Sequence, residues 1–238
     1  MDIIPTPTQR KAAPVAGMAW LIWFIAVVAV SFNIIFPLNE VSTAADVARR
    51  ILADERLFRL GIAGYAVSCV ALVVQVAAFY LILEPVDRML ALLAALGRLV
   101  NAFTWVVVVL NLFMVLGLSK DGEPALARLY LSGWNVYYVG LVFWSLAAGV
   151  GGYLFYQSNY IPRALAAFGV IASAWCAACT FVYYIFPGFA DAVNLWWFDS
   201  PMVLFELTLS GWLLVKGLRQ GSLLATRGSQ LGARESTL

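Results

Sequence analysis

Unbroken apolar stretches constrain this chain more than any other feature. Five or more of them reach about 20 residues, the length a helix needs to cross a hydrocarbon core of roughly 30 Å. Membrane-spanning strands would instead alternate polar and apolar residues over segments of about ten, and these stretches do not alternate, so a closed barrel is excluded. Charged residues make up only 12% of the 238 residues. A soluble domain carries about 25%, and half of that leaves too little polar surface to face water. The fold class that follows is all-α, a polytopic membrane protein.

Prolines, glycines and charges punctuate the chain into a bundle of six transmembrane helices, with spans at about 16–37, 60–83, 87–117, 124–157, 164–186 and 201–218. Residues 1–15 read as a polar tail, and 219–238 as a disordered one. The first span is longer than the apolar core of about 7–15 residues in a cleaved signal peptide, so it reads as a retained helix. Short interfacial helices are expected in the first and last outer loops. In the first, Ser42 suits an N-cap, and Val47, Ile51 and Phe58 share a side while Asp46, Arg49, Arg50, Glu55 and Arg56 occupy much of the rest. That segment is either a connector lying on the bilayer surface or a lid over a cavity mouth. In the last, Trp196 and Trp197 suit an interfacial anchor before a sixth span opening at Pro201.

Lys and Arg set the expected orientation. One set of segments holds Arg10, Lys11, Arg88, Arg163, Lys216, Arg219, Arg227 and Arg234, and the other holds Arg49, Arg50, Arg56, Arg59, Lys120 and Arg128. The richer set belongs in the cytoplasm, which places both termini there and the chain in the cell (inner) membrane. The charges are spread out and the net charge is only +2, so no nucleic-acid partner is expected.

Histidine is absent. Imidazole ligation of haem, His-ligated zinc, histidine proton relays and Ser-His catalysis are therefore excluded together. Cys69, Cys176 and Cys179 all fall inside spans. The Cys176–Cys179 pair has no further ligands in sequence for a zinc site, and small packing residues are the expected role. No cofactor or metal is expected, and no catalytic residue stands out.

Two charged residues lie deep in the interior of the spans, away from their ends: Arg98 and Glu206. An arginine at a helix centre costs roughly 2.5–3.5 kcal/mol to insert, so Arg98 needs a partner. Rise per residue puts it near mid-membrane, ten residues after Arg88, and puts Glu206 at a compatible depth. The expected centre is Arg98 bonded to Glu206 directly or through a water, with Asn101 or Gln75 taking the remaining donors. Ala91, Ala94, Ala95, Arg98, Asn101, Ala102 and Trp105 fall on one helical stripe, leaving room for the long side chain. The pair either pins two helices together or lines a ligand cavity or ion path. Arg59, Asp87 and Arg88 are further candidates at the interface.

The phrases ADERLFRLGI (53–62), YLILEPVDRMLALLAALGRLV (80–100), GLVFWSLAAGVGGYLFYQSNYIPRALA (140–166) and FELTLSGWLLVKG (205–217) carry a resemblance that spans nearly the whole chain. It resembles an uncharacterised six-helix bacterial membrane-protein family, a domain of unknown function numbered four-three-eight-six. The resemblance implies that Phe58, Arg59, Gly61, Pro85, Arg98, Pro162, Arg163, Glu206, Trp212 and Lys216 match family positions. Relatives often carry a histidine in the fourth span and an aspartate in the fifth. In a rough alignment those places hold Ser145 or a neighbour and Cys179 here.

Three functions are weighed. The leading expectation is a non-enzymatic bundle that binds a membrane lipid, a hydrophobic small molecule or a membrane protein partner, with a homo-oligomer also open. The alternative is a small transporter or channel using the Arg98/Glu206 polar centre, although no internal repeat or broken midplane helix marks one. An intramembrane enzyme comes third, because no acid–base constellation is visible.

Overall fold

The computed structural model describes residues 4–132, 135–194 and 196–219. Most of the expected C-terminal tail, from residue 220 on, lies outside the described residues.

The first helix starts well before the expected span. Thr6 and Gln9 form a reciprocal capping box at the start of α1 (Pro7–Val30), so residues read as an unstructured tail are helical. Gln9 also donates through Nε2 to the Ile82 carbonyl at 2.6 Å and to the Tyr160 hydroxyl at 3.0 Å. These tertiary bonds hold a polar helix end that composition alone could not commit. A π turn, Ser31–Ile35, and the short α2 (Phe36–Asn39) continue the same rod. The wide turn opens the helix where the Pro37 ring would otherwise press on the Asn33 carbonyl one turn back.

The next helix, α3 (Ala44–Ala53), is capped by Thr43 rather than Ser42, through the Asp46 N–H at 3.1 Å. Its apolar side, Val47, Ala48 and Ile51, is buried against protein. A surface connector would have left that side to lipid. Three long helices and one short one follow the pattern of apolar runs: α4 (Glu55–Leu83), α5 (Arg88–Lys120), then the short α6 (Pro124–Leu131) and α7 (Asn135–Ser158). The expected fourth span falls on α6 and α7, and residues 133 and 134 between them lie outside the described residues. α8 (Arg163–Ile185) and the single turn α9 (Phe189–Ala192) precede α10 (Trp196–Val215). The last helix takes in Trp196 and Trp197, so Pro201 lies inside it instead of opening it. Proline leaves the Trp197 carbonyl without its helical donor, and the Trp175 indole on α8 supplies one at 2.8 Å.

Among the described residues, six helical stretches are long and apolar enough to cross a membrane: Pro7–Asn39, Glu55–Leu83, Arg88–Lys120, Pro124–Ser158, Arg163–Ile185 and Trp196–Val215. They pack as a closed ring in which α1 lies on α4, α4 on α5, α5 on α7, α7 on α8, α8 on α10 and α10 back on α1. Small residues set the close seams. A Cβ on Gly17 would stand 2.8 Å from the Ser210 carbonyl oxygen, and one on Gly169 would stand within 2.7 Å of three Phe205 ring atoms. Large apolar side chains such as Leu60, Val70, Phe103, Leu110 and Ile171 point outward and are exposed, as a lipid-facing surface requires.

The ring has two ends. At the first, the terminal end, the start of α1 meets Ile82 and Tyr160, and the Arg219 N–H bonds the Tyr160 carbonyl at 2.8 Å. The second, the loop end, carries α2, α3, α6 and α9. Arg128 there reaches the Val41 carbonyl at 2.6 Å, and Lys120 reaches Glu55 at 2.8 Å.

Candidate functional site: a charged pair at the head of an apolar cleft

Four helices bring their polar side chains together inside the ring. Arg98 on α5 and Glu206 on α10 are each only 5% exposed, and Arg98 Nη2 lies 2.5 Å from Glu206 Oε2. Gln75 on α4 accepts from Arg98 Nε at 3.2 Å and Nη2 at 3.0 Å through the same oxygen. The Trp144 indole on α7 donates to the other Glu206 oxygen at 2.6 Å. Its ring also lies 5.4 Å from the Arg98 guanidinium carbon. Both carboxylate oxygens are therefore engaged, and the arginine is held by an ion pair, an amide and an aromatic face. That density of partners makes a buried charge tolerable.

Each sequence-derived candidate has a definite place. Arg98, Glu206 and Gln75 meet. Asn101 does not join them: its amide donates to the Gly140 carbonyl at 3.2 Å, closing the α5–α7 seam. Arg59 pairs with Glu55 at 2.7 Å at the loop end, where Lys120 shares the carboxylate. Asp87 caps α5 through the Leu90 N–H at 3.0 Å, and Arg88 stands 3.9 Å from Glu84 on the surface. None of the last three borders the centre. Sequence reading missed Trp144. Its indole at compatible depth on a small-residue helix was a usable signal, but a tryptophan in a span reads first as apolar bulk.

An apolar cleft adjoins this centre. Arg98 and Glu206 border it at mid-helix, and Tyr80, Leu83, Ala91 and Phe155 border it nearer the terminal end. The walls between are small on both sides, Ala94 and Ala95 from α5 and Ala147, Ala148, Gly151 and Gly152 from α7. The cavity between these walls is about 40 Å³. Ser145 and Cys179, where relatives were expected to carry histidine and aspartate, are both buried, and Ser145 bonds the Leu141 carbonyl at 2.7 Å within its own helix.

Fold and site together define a multi-pass helical membrane protein built around one buried ion pair with an apolar cleft beside it. The chain belongs to the family described as "Domain of unknown function (DUF4386)", whose profile matches residues 15–217. No curated protein and no solved structure gives a match.

Proposed function

We propose that this protein is a non-enzymatic membrane bundle that holds a hydrophobic ligand, such as a lipid acyl chain, in the cleft beside Arg98 and Glu206. One observation carries the reading: an apolar slot with alanine and glycine walls runs toward the charged pair inside the ring. Small side chains facing each other leave a gap that an acyl chain fills and that a well-packed core would have closed. The pair supports holding more than chemistry, because Trp144 and Arg98 occupy both oxygens of the carboxylate. A carboxylate held from both oxygens is fixed in one orientation, which suits a rigid end to the cleft.

Lipid analysis by native mass spectrometry of the purified full chain tests this directly. Wild type is expected to retain an apolar molecule. Ala95→Phe, which puts a ring into the slot from α5, is expected to lose about tenfold of it with the fold intact. A wild-type preparation that retains nothing, together with solute flux in liposomes, would favour a small transporter using the same centre instead.

On the same footing we place the chain in a bacterial inner membrane with both chain ends in the cytoplasm. Terminal-end Arg10, Lys11, Arg88, Arg163, Lys216 and Arg219 support this. Asp121 at the loop end and Gln157 at the terminal end are both exposed. In intact cells, a membrane-impermeant maleimide is expected to label Asp121→Cys and to spare Gln157→Cys. The reverse pattern inverts the topology.

A further inference from the structure

A second pocket lies at the loop end, away from the cleft. Ile35, Tyr65, Trp105, Asn111, Tyr130 and Tyr137 border it with three further aliphatic side chains, and the cavity is about 40 Å³. Its rings meet at steep angles. Tyr65 and Trp105 are 5.5 Å apart at 60°, and Trp105 and Tyr137 are 6.1 Å apart at 77°. These are the edge-to-face contacts that aromatic pairs prefer, and together they set three rings from three helices along the pocket border.

These walls are fixed from behind. The Tyr65 hydroxyl is 2.8 Å from Ser31 Oγ, which belongs to the π turn that also supplies Ile35. Turns of this kind are frequent at functional sites. Trp23 packs edge-on to Trp105 at 5.8 Å. The Tyr137 hydroxyl donates to the Asp199 carboxylate on α10. Among the described residues no Lys or Arg lies within ion-pair distance of Asp199. Among the described residues the pocket border contains no Lys or Arg either, and Arg128 on α6 directs its guanidinium to the Val41 carbonyl.

We propose that this pocket binds an alkylammonium cation, with Tyr65, Trp105 and Tyr137 as aromatic walls and Asp199 as the counter-charge behind Tyr137. Aromatic faces are negative and attract a weakly hydrated cation. A carboxylate accepting the phenol proton pushes charge into the Tyr137 ring and strengthens that face. The Asp199 carboxylate behind Tyr137 disfavours an anion against that wall. The cation is either free in solution or the headgroup of a choline-type lipid, and the chemistry of recognition is common to both.

Binding of radiolabelled choline to the purified full chain in detergent tests the proposal. Choline is expected to bind saturably and to be displaced by tetramethylammonium. Its uncharged shape-mimic 3,3-dimethylbutan-1-ol is expected to compete about tenfold or more less well. Trp105→Leu and Asp199→Asn are each expected to weaken binding about tenfold. Trp105→Phe keeps a ring and the packing, so it separates a lost wall from a misfolded chain by losing less. Nanodiscs identify the source. Weaker choline binding in phosphatidylcholine discs than in phosphatidylglycerol discs assigns the site to the headgroup, and equal binding assigns it to a free cation. No saturable binding to wild type in detergent or in either disc, or equal competition by the neutral alcohol, overturns the proposal. The Ala95→Phe variant should bind choline normally, so failure here and failure of the cleft reading are read separately.

Discussion

Glu206→Ala is expected to destabilise the folded chain by about 3–5 kcal/mol, because it strands a buried guanidinium. Arg98 would keep only Gln75 and the Trp144 face, and Trp144 would lose its acceptor. Arg98→Ala should cost a similar amount by leaving the carboxylate with one indole. Arg98→Met combined with Glu206→Leu should recover most of the loss, since a well-packed apolar pair often replaces a buried ion pair at little cost. Unfolding monitored by denaturant titration in lipid discs gives all four values. The double variant also separates two roles. Recovered stability with retained lipid makes the pair a pin between helices, and recovered stability with lipid lost makes it part of the site.

Gly17→Leu is the second large effect, expected at about 3 kcal/mol or somewhat more, the upper end of the range for overpacking. The first carbon of any side chain there meets a backbone carbonyl on α10 at 2.8 Å and Leu214 Cγ at 3.0 Å. A carbonyl in a helix cannot rotate away, so α1 and α10 must separate. That seam is the one that closes the ring, and its loss should lower the thermal midpoint and broaden the transition. Gly211→Ala on α10 is the matching control. Nothing stands within 4 Å of a Cβ at Gly211, and removing a mid-helix glycine should add up to about 1 kcal/mol.

Much of the fold was legible because lipid imposes few solutions. Runs of apolar residues marked the spans, and Pro85, Pro124 and Pro162 marked three of the turns between them. The start of α1 was not legible. Its polar first turn is held by Gln9 through partners on α4 and beyond α7, and local composition carries no trace of such bonds. Pro201 misled for a related reason: Trp175, on another helix, supplies the donor that proline removes. At the site, scarcity did the work. With two charged residues deep in the interior of the spans at compatible depths, Arg98 and Glu206 had few choices of partner. Amides were too numerous for the same logic, which is why Gln75 and Asn101 stood as equals until geometry separated them. The aromatic pocket at the loop end was invisible, since Tyr65, Trp105 and Tyr137 come from three different helices and each reads alone as bulk.

Photo-crosslinking with a diazirine-bearing phospholipid acyl chain, mapped by peptide mass spectrometry, tests most directly whether the cleft holds a lipid chain. Adducts are expected on cleft residues such as Ala94, Ala95, Gly151 and Leu209, and they should disappear in Ala95→Phe. Adducts confined to the outward residues Leu92, Leu96, Phe103 and Leu207, unchanged by Ala95→Phe, would contradict it.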